Sequence, residues 1–280
     1  MYIEDIYSDI LSIRTYLGKL IMTTETTFDL NAHILALEAE FNDQALINAV
    51  KESWKTDLSK DLKWAIFLTA VKYYKPWQPY HNFEHAKKVV WAVLEIYFRK
   101  DSSVNFEVLV AAIWHDAIYV PGSQSNELLS VYTYGLEHVE LGISANIDTC
   151  FEDRSLVMSL IRNTTIENHL SEKLLFITEE IAILLDADLS GLASSYKYAF
   201  EEPADVVERN YALFESIQMS IIQEHIGDGE QITDEHKQQS REFLKQFLNK
   251  KTIYRTPEAI EMWEAKARYN LTQYCYNHAT

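Results

Sequence analysis

Glycine and proline are scarce in this chain, at 7 and 5 of 280 residues. Sheets joined by tight turns call on more of both, because those turns need positive φ or a fixed one. The scarcity speaks against a many-stranded architecture, and no apolar/polar alternation persists long enough to mark a strand. Cysteine is scarcer still. Cys150 and Cys275 are the two present. They share no C-x-x-C spacing, which excludes a thiolate metal knot, and a structural bridge is not expected of them; a reducing cytoplasm is the natural setting. No run approaches the ~18 apolar residues of a membrane span. The opening MYIEDIYSDI lacks the basic start and apolar core of a secretory signal. The expectation is a cytoplasmic protein with no membrane partner.

Basic charge is also short. Lys and Arg number 25 against 42 Asp and Glu, giving a formal net charge of −17 at pH 7. Such a field repels a nucleic-acid backbone, so no nucleic-acid partner is expected. It repels anionic substrates too, and a phosphate-directed chain of this charge needs a local offset, most simply a bound dication. Solubility alone accounts for the same balance, so charge weighs little in choosing a function.

What is abundant is apolar residues at helical spacing. Helical patterns run over about 2–20, 29–55, 60–74, 83–99, 104–119, 124–141, 153–165, 171–188, 203–225, 233–249 and 257–276, with edges good to a few residues. Some edges have chemical causes. Pro76 and Pro79 break the chain before Asn82, Pro121-Gly122 stops the run FEVLVAAIWHDAIYV, and Thr256-Pro257 reads as an N-cap followed by proline at the first helical position. The expected fold is all-α, one domain over 1–280. Residues 1–58 form an N-terminal helical extension, 59–280 form the core with C-terminal helices, and a weak seam falls at 56–64.

Three polar motifs interrupt the apolar helices. In Tyr80-His81-Asn82-Phe83-Glu84-His85-Ala86 the two histidines are four apart, one helical turn. His85 continues into Val89, Ala92, Val93 and Ile96, so it faces inward at the first turn, while His81 sits nearer solvent: a layout for one ligand and one proton donor. In Trp114-His115-Asp116 the spacing Val108, Ala111, Ala112, His115 puts the histidine on the buried face. Buried polar groups beside Ala-Ala-Ile-Trp are costly without a partner, and a metal supplies one. In Leu184-Leu185-Asp186-Ala187-Asp188-Leu189-Ser190 the two acids lie ~200° apart on a helix, so one faces an ion and the other caps or supports. Each motif alone has an ordinary structural account. Together they place His, His-Asp and Asp on three separate apolar helices, a standard way to build a metal site in a helical core.

The order H…HD…D resembles the HD-domain metal-dependent phosphohydrolase superfamily. The resemblance puts His85, His115, Asp116 and Asp188 at its four metal positions; it selects Asp188 over Asp186 by the Ala187-Asp188-Leu189-Ser190 context. YHNFEHA is similar to the Y-H-N-x-x-H-A signature of cyclic nucleotide phosphodiesterases of that superfamily, which implies that His81 protonates the leaving oxygen. Over most of the chain, through AAIWHDAIYVPGSQSNELLS, SLIRNTTIENH, LLDADLSGL and FLNKKTIYRTPEAIEMWEAKARYNL, the sequence resembles bacterial predicted HD-superfamily phosphohydrolases of largely unassigned substrate. The fold so implied is an HD-domain helical core with additional N- and C-terminal helices.

The resemblance implies hydrolysis of a phosphoester, of a nucleotide or related small phosphate, by metal-activated water. The donor set suits Mn, Fe, Co, Ni, Zn or Mg as the divalent ion. Imidazole titrates near 6.5 when unperturbed, which suits His81 to proton donation. Glu127 is the acid nearest behind the HD pair and the candidate second catalytic residue, weighed against a solvated or capping glutamate. His169 is a candidate for binding phosphate or a second metal, against a surface histidine. Asn82 and Arg162 complete the candidate substrate contacts; for Arg162, as for Lys197 and Arg209, surface charge is the plainer account. Tyr119 stands where the phosphodiesterases carry a further histidine, which favours one firmly held ion over two. Tyr119 and Val120 stand where hydrolases of guanosine tetraphosphate carry acids, which argues against that activity. Two alternatives belong to other classes. An HD-fold di-iron oxygenase needs further histidines, for which His138 and His169 are available, and a nucleotide-binding sensor binds without turnover.

Overall fold

The computed structural model of the chain describes residues 28–54, 62–145, 151–172, 177–193 and 206–276. The helical pattern at 2–20, the boundary at 58/59, Cys150 and Lys197 lie outside these residues. The described residues are all-α, with no strand among them. In chain order they form α1 (Leu30–Phe41), α2 (Gln44–Trp54), α3 (Leu62–Thr69) with a 3-10 turn (Ala70–Lys72), α4 (Phe83–Arg99), α5 (Phe106–Trp114), α6 (Asn126–Ala145) and α7 (Phe151–Arg162). There follow the short α8 (Ile166–Leu170), α9 (Glu179–Asp188) with a 3-10 turn (Leu189–Ala193), α10 (Val206–Ile226), α11 (Asp234–Leu248), α12 (Pro257–Ala259), a π turn (Ile260–Glu264) and α13 (Ala265–Tyr276). None of these helices is long and apolar enough to cross a membrane.

The core is centred on α5. Apart from Glu107 its sequence FEVLVAAIW is apolar all round, the mark of a buried helix, and every residue but Glu107 is buried. Its polar atoms are satisfied by neighbours: Trp114 Nε1 donates to the Ile66 carbonyl at 2.9 Å, and the Tyr74 hydroxyl donates to the Ile113 carbonyl at 2.9 Å. Around it pack α3, α4, α6, α7 and α9, and α4 also packs on α9. Helices α4, α5 and α9 therefore meet one another, and they are the three that bear the polar motifs.

Several edges differ from the sequence expectation, each for a local reason. The pattern at 29–55 is two helices, because Asn42 takes a left-handed φ of 52° and its N–H donates to the Glu38 carbonyl; Asp43 then caps the next helix through Leu46 N at 3.0 Å. Asparagine tolerates that region better than most residues. The helix expected over 104–119 ends at Trp114. Side chains of α6 draw the chain away from helical geometry: Ile118 N donates to Ser130 Oγ at 3.1 Å and Val120 N to Asn126 Oδ1 at 3.0 Å. The pattern at 171–188 is helical from Glu179, capped by Thr178, and is preceded by α8, capped by Thr165. The pattern at 257–276 is interrupted by the π turn.

Candidate metal centre

Asn82 opens α4. Its side-chain oxygen accepts from Glu84 N at 3.0 Å and His85 N at 3.2 Å, while its amide donates to the Gln78 carbonyl. The cap fixes His85 in the first turn, where it is buried on the same face as Val89 and Val93. His115 follows the last residue of α5 and is buried. Its Nδ1 lies 2.8 Å from the Ala112 carbonyl. A carbonyl only accepts, so the proton sits on Nδ1 and Nε2 is left for the interior. Asp116, in the turn, and Asp188, the last residue of α9, complete the group.

One donor atom from each of His85, His115, Asp116 and Asp188 lies within 4.8 Å of all the others, and this group can hold a metal ion. Asp116 Oδ2 is 3.0 Å from His115 Nε2 and 3.6 Å from His85 Nε2. Asp188 Oδ1 is 3.3 Å from both of those nitrogens. The atoms converge at ion-pair distances, yet His85 Nε2 and His115 Nε2 are buried with no hydrogen-bond partner of good geometry. Buried polar atoms are ordinarily satisfied, and a cation among them would satisfy both nitrogens and both carboxylates at once. The four groups also act on one another's charge. Burial lowers the pKa of His85 and His115, but Asp116 and Asp188 outweigh it and raise both, His115 well above the usual range. Burial likewise raises the two carboxyls, and His115 chiefly outweighs it, holding both well below the usual carboxylate range.

His81 stands at the edge of the group. Its Nε2 is 3.9 Å from Asp116 Oδ2, and its ring stacks on Tyr119 with centroids 3.5 Å apart and planes at 15°. Its Nδ1 lies 2.6 Å from Glu224 Oε2, and its backbone N–H donates to the same carboxylate at 3.3 Å. Glu224 belongs to α10 and is buried. Sequence reading missed it. A signal was present, since Phe214, Ile217 and Glu224 share one face of α10, and an acid on an apolar face asks for a partner.

The remaining candidates are placed as follows. His169 is buried at the end of α8, with Nε2 2.9 Å from Asp188 Oδ2. Asp186 is fully buried and turns away from the group, accepting from Arg255 N, Thr256 N and Thr256 Oγ1. Glu127 is half-buried in the first turn of α6. Burial, with repulsion from Asp116, holds its carboxyl above the usual range against the pull of its own backbone N–H. Arg162 is exposed at the end of α7, and the side chain of Arg209 lies outside the described residues. His138 is not brought to the group; it packs on Tyr134 and lines a small cavity with Lys63, Phe106 and Val157. Compared with known proteins, the chain matches no family model, no curated protein and no solved structure.

Proposed function

We propose that this chain is a cytoplasmic, metal-dependent phosphohydrolase of HD-domain type, acting on a phosphoester such as a nucleotide or a related small phosphate. The observation that carries the reading is the convergence of His85, His115, Asp116 and Asp188, with two imidazole nitrogens buried and unbonded, beside an imidazole that is itself held by a buried carboxylate. Bound there, a divalent ion supplies Lewis acidity, lowering the pKa of water and polarising a phosphoryl oxygen. The chain's own residues do the rest. Glu224 accepts the Nδ1 proton of His81, which aims Nε2 at the group and fixes the tautomer left once a proton is given up. His81 then donates from Nε2 to the departing oxygen, and the stacked Tyr119 ring restricts its rotation. Glu127, whose carboxyl burial holds above the usual carboxylate range, is the residue to take up a proton from water.

Metal analysis followed by a phosphoester panel, run with each of Mn, Fe, Co, Ni, Zn and Mg, tests this. Turnover that depends on the ion and disappears in Asp116→Ala is expected. Full turnover in a metal-free Asp116→Ala protein sinks the proposal. Tight nucleotide binding with no hydrolysis under any metal points instead to a sensor, and nearly two irons per chain with oxygen consumption points to an oxygenase.

A further inference from the structure

The segment between α11 and α12 ends in Lys250-Lys251-Thr252-Ile253-Tyr254-Arg255-Thr256. It belongs to the closing motif that the proposed chemistry leaves unused. Lys250 and Arg255 are turned onto backbone carbonyls. Lys250 is buried, and its Nζ donates to the His169 carbonyl at 2.6 Å. The Arg255 guanidinium donates to the carbonyls of Asn168 and Ser171. A helix end leaves such carbonyls without partners, and cations suit that end.

The same segment grips α9. The N–H groups of Arg255 and Thr256 and the Thr256 hydroxyl donate to the buried Asp186 carboxylate at 2.9, 2.7 and 2.8 Å. The Tyr254 hydroxyl donates to the Leu189 carbonyl at 3.1 Å. The segment is held from behind as well. Glu264, closing the π turn, accepts from Ile253 N and Tyr254 N, and Arg268 donates to the carbonyls of Leu248, Lys250 and Lys251.

The two elements so gripped, α8 and α9, carry His169 and Asp188, paired at 2.9 Å through Nε2 and Oδ2. The other Asp188 oxygen faces His85 and His115. A carboxylate anchored at one oxygen turns only as far as its anchor allows. We propose that Lys250–Thr256 is a brace, with Arg255 and Lys250 as positioning residues, that sets the His169–Asp188 pair so that Asp188 presents Oδ1 to the cation. The role of the cation rests on the metal reading above; the brace on the pair itself does not.

Two measurements on the full chain separate the parts. In a Co²⁺ titration, Arg255→Met is expected to bind about 10–100-fold more weakly and to shift the visible Co²⁺ bands, as follows when a group orienting a ligand is lost; Arg255→Lys is expected to recover part of the affinity. Because Arg255 acts through His169, the same change in a His169→Gln background should cost less than ~3-fold. Equal losses in both backgrounds overturn the brace. The second measurement needs no metal. In ¹⁵N-histidine spectra of the metal-free protein, the His169 ring N–H held by Asp188 should broaden or vanish in Arg255→Met, and an unchanged His169 signal overturns the proposal. Should wild type take up no Co²⁺ while that signal still responds, the metal reading fails and the brace on Asp188 is upheld. Lys250→Met, which removes one donor from the His169 carbonyl, is read in the same way if Arg255→Met does not fold.

Discussion

Glu224→Ala is the substitution whose consequence is most specific. The carboxylate is 2% exposed at its side chain and lies 2.6 Å from His81 Nδ1. It also accepts the His81 N–H at 3.3 Å. A hydrogen bond to a charged group contributes about 1.5–3 kcal/mol. If that interaction orients His81 in the transition state, its removal slows the step by about 10- to 150-fold, at 1.36 kcal/mol per tenfold. Glu224→Gln keeps an acceptor for Nδ1–H and drops the charge, so its loss should fall at the lower end. Glu224 is outside the group that can hold the ion, so metal content per chain should be unchanged in both variants. The leaving group supplies the sharpest contrast. A nucleoside alcohol needs a proton to depart, whereas nitrophenolate does not. With metal-loaded protein, Glu224→Ala should therefore lose rate on a nucleoside ester and keep most of it on a nitrophenyl ester. Equal losses on both esters, or a loss explained by missing metal, would refute the assignment of His81 and Glu224 to proton donation.

Other outcomes follow from the same geometry. His85 and His115 have raised pKa values in the metal-free state, and only neutral imidazole ligates, so metal uptake displaces protons. Calorimetry in buffers of different ionisation enthalpy should show proton release at pH 6.5, and affinity should rise with pH until both rings are neutral. For folding the sign is opposite. A raised histidine pKa contributes stability that is fully present below the unfolded value of ~6.5 and is lost as pH rises through the folded value. The metal-free protein should thus melt lower as pH climbs above ~6.5, and saturating metal should offset the decline; a metal-free melting temperature flat over this range counts against the charge pairing. Asn82→Ala removes the cap of α4, which costs about 1 kcal/mol and should lower the melting temperature by about 2–4 °C, whereas Asn82→Ser should restore most of it. Asn42→Ala keeps the β-carbon at φ 52° but loses the short polar side chain that lets asparagine tolerate this region, and should cost about 1 kcal/mol in urea unfolding, with Asn42→Gly near neutral.

Much of this was legible in the sequence, for identifiable reasons. The helices were readable because a 3.6-residue apolar period survives wherever one face is buried, and α5 because it is apolar but for Glu107. His85, His115 and Asp116 stood out as polar residues interrupting such faces, whereas the pattern left Asp186 and Asp188 open and the family resemblance selected Asp188. The breaks were harder. At Asn42 the apolar spacing runs straight through, and only the backbone reveals the left-handed residue. After Trp114 the helix yields to acceptors on Ser130 and Asn126, which no local pattern announces. Glu224 is 143 residues from His81, and Arg255 is 69 from Asp186. Pairings across such distances leave only a weak local trace, an acid on an apolar face or a cation near a proline turn. The bond between His169 and Asp188 likewise depends on how α8 and α9 are set against each other, which their sequences do not state.

The convergence of the two histidines and two aspartates is tested most directly by metal stoichiometry. Wild type, His115→Ala, Asp116→Ala and Asp188→Ala should each be stripped with chelator, loaded with Mn²⁺ or Co²⁺, dialysed and assayed for metal per chain, with helicity checked by circular dichroism. One ion per chain in wild type, and none retained in the three folded variants, is the expected result. Wild type that retains no ion, or folded Asp116→Ala and Asp188→Ala that retain it as wild type does, would contradict the assignment of this group as a metal centre.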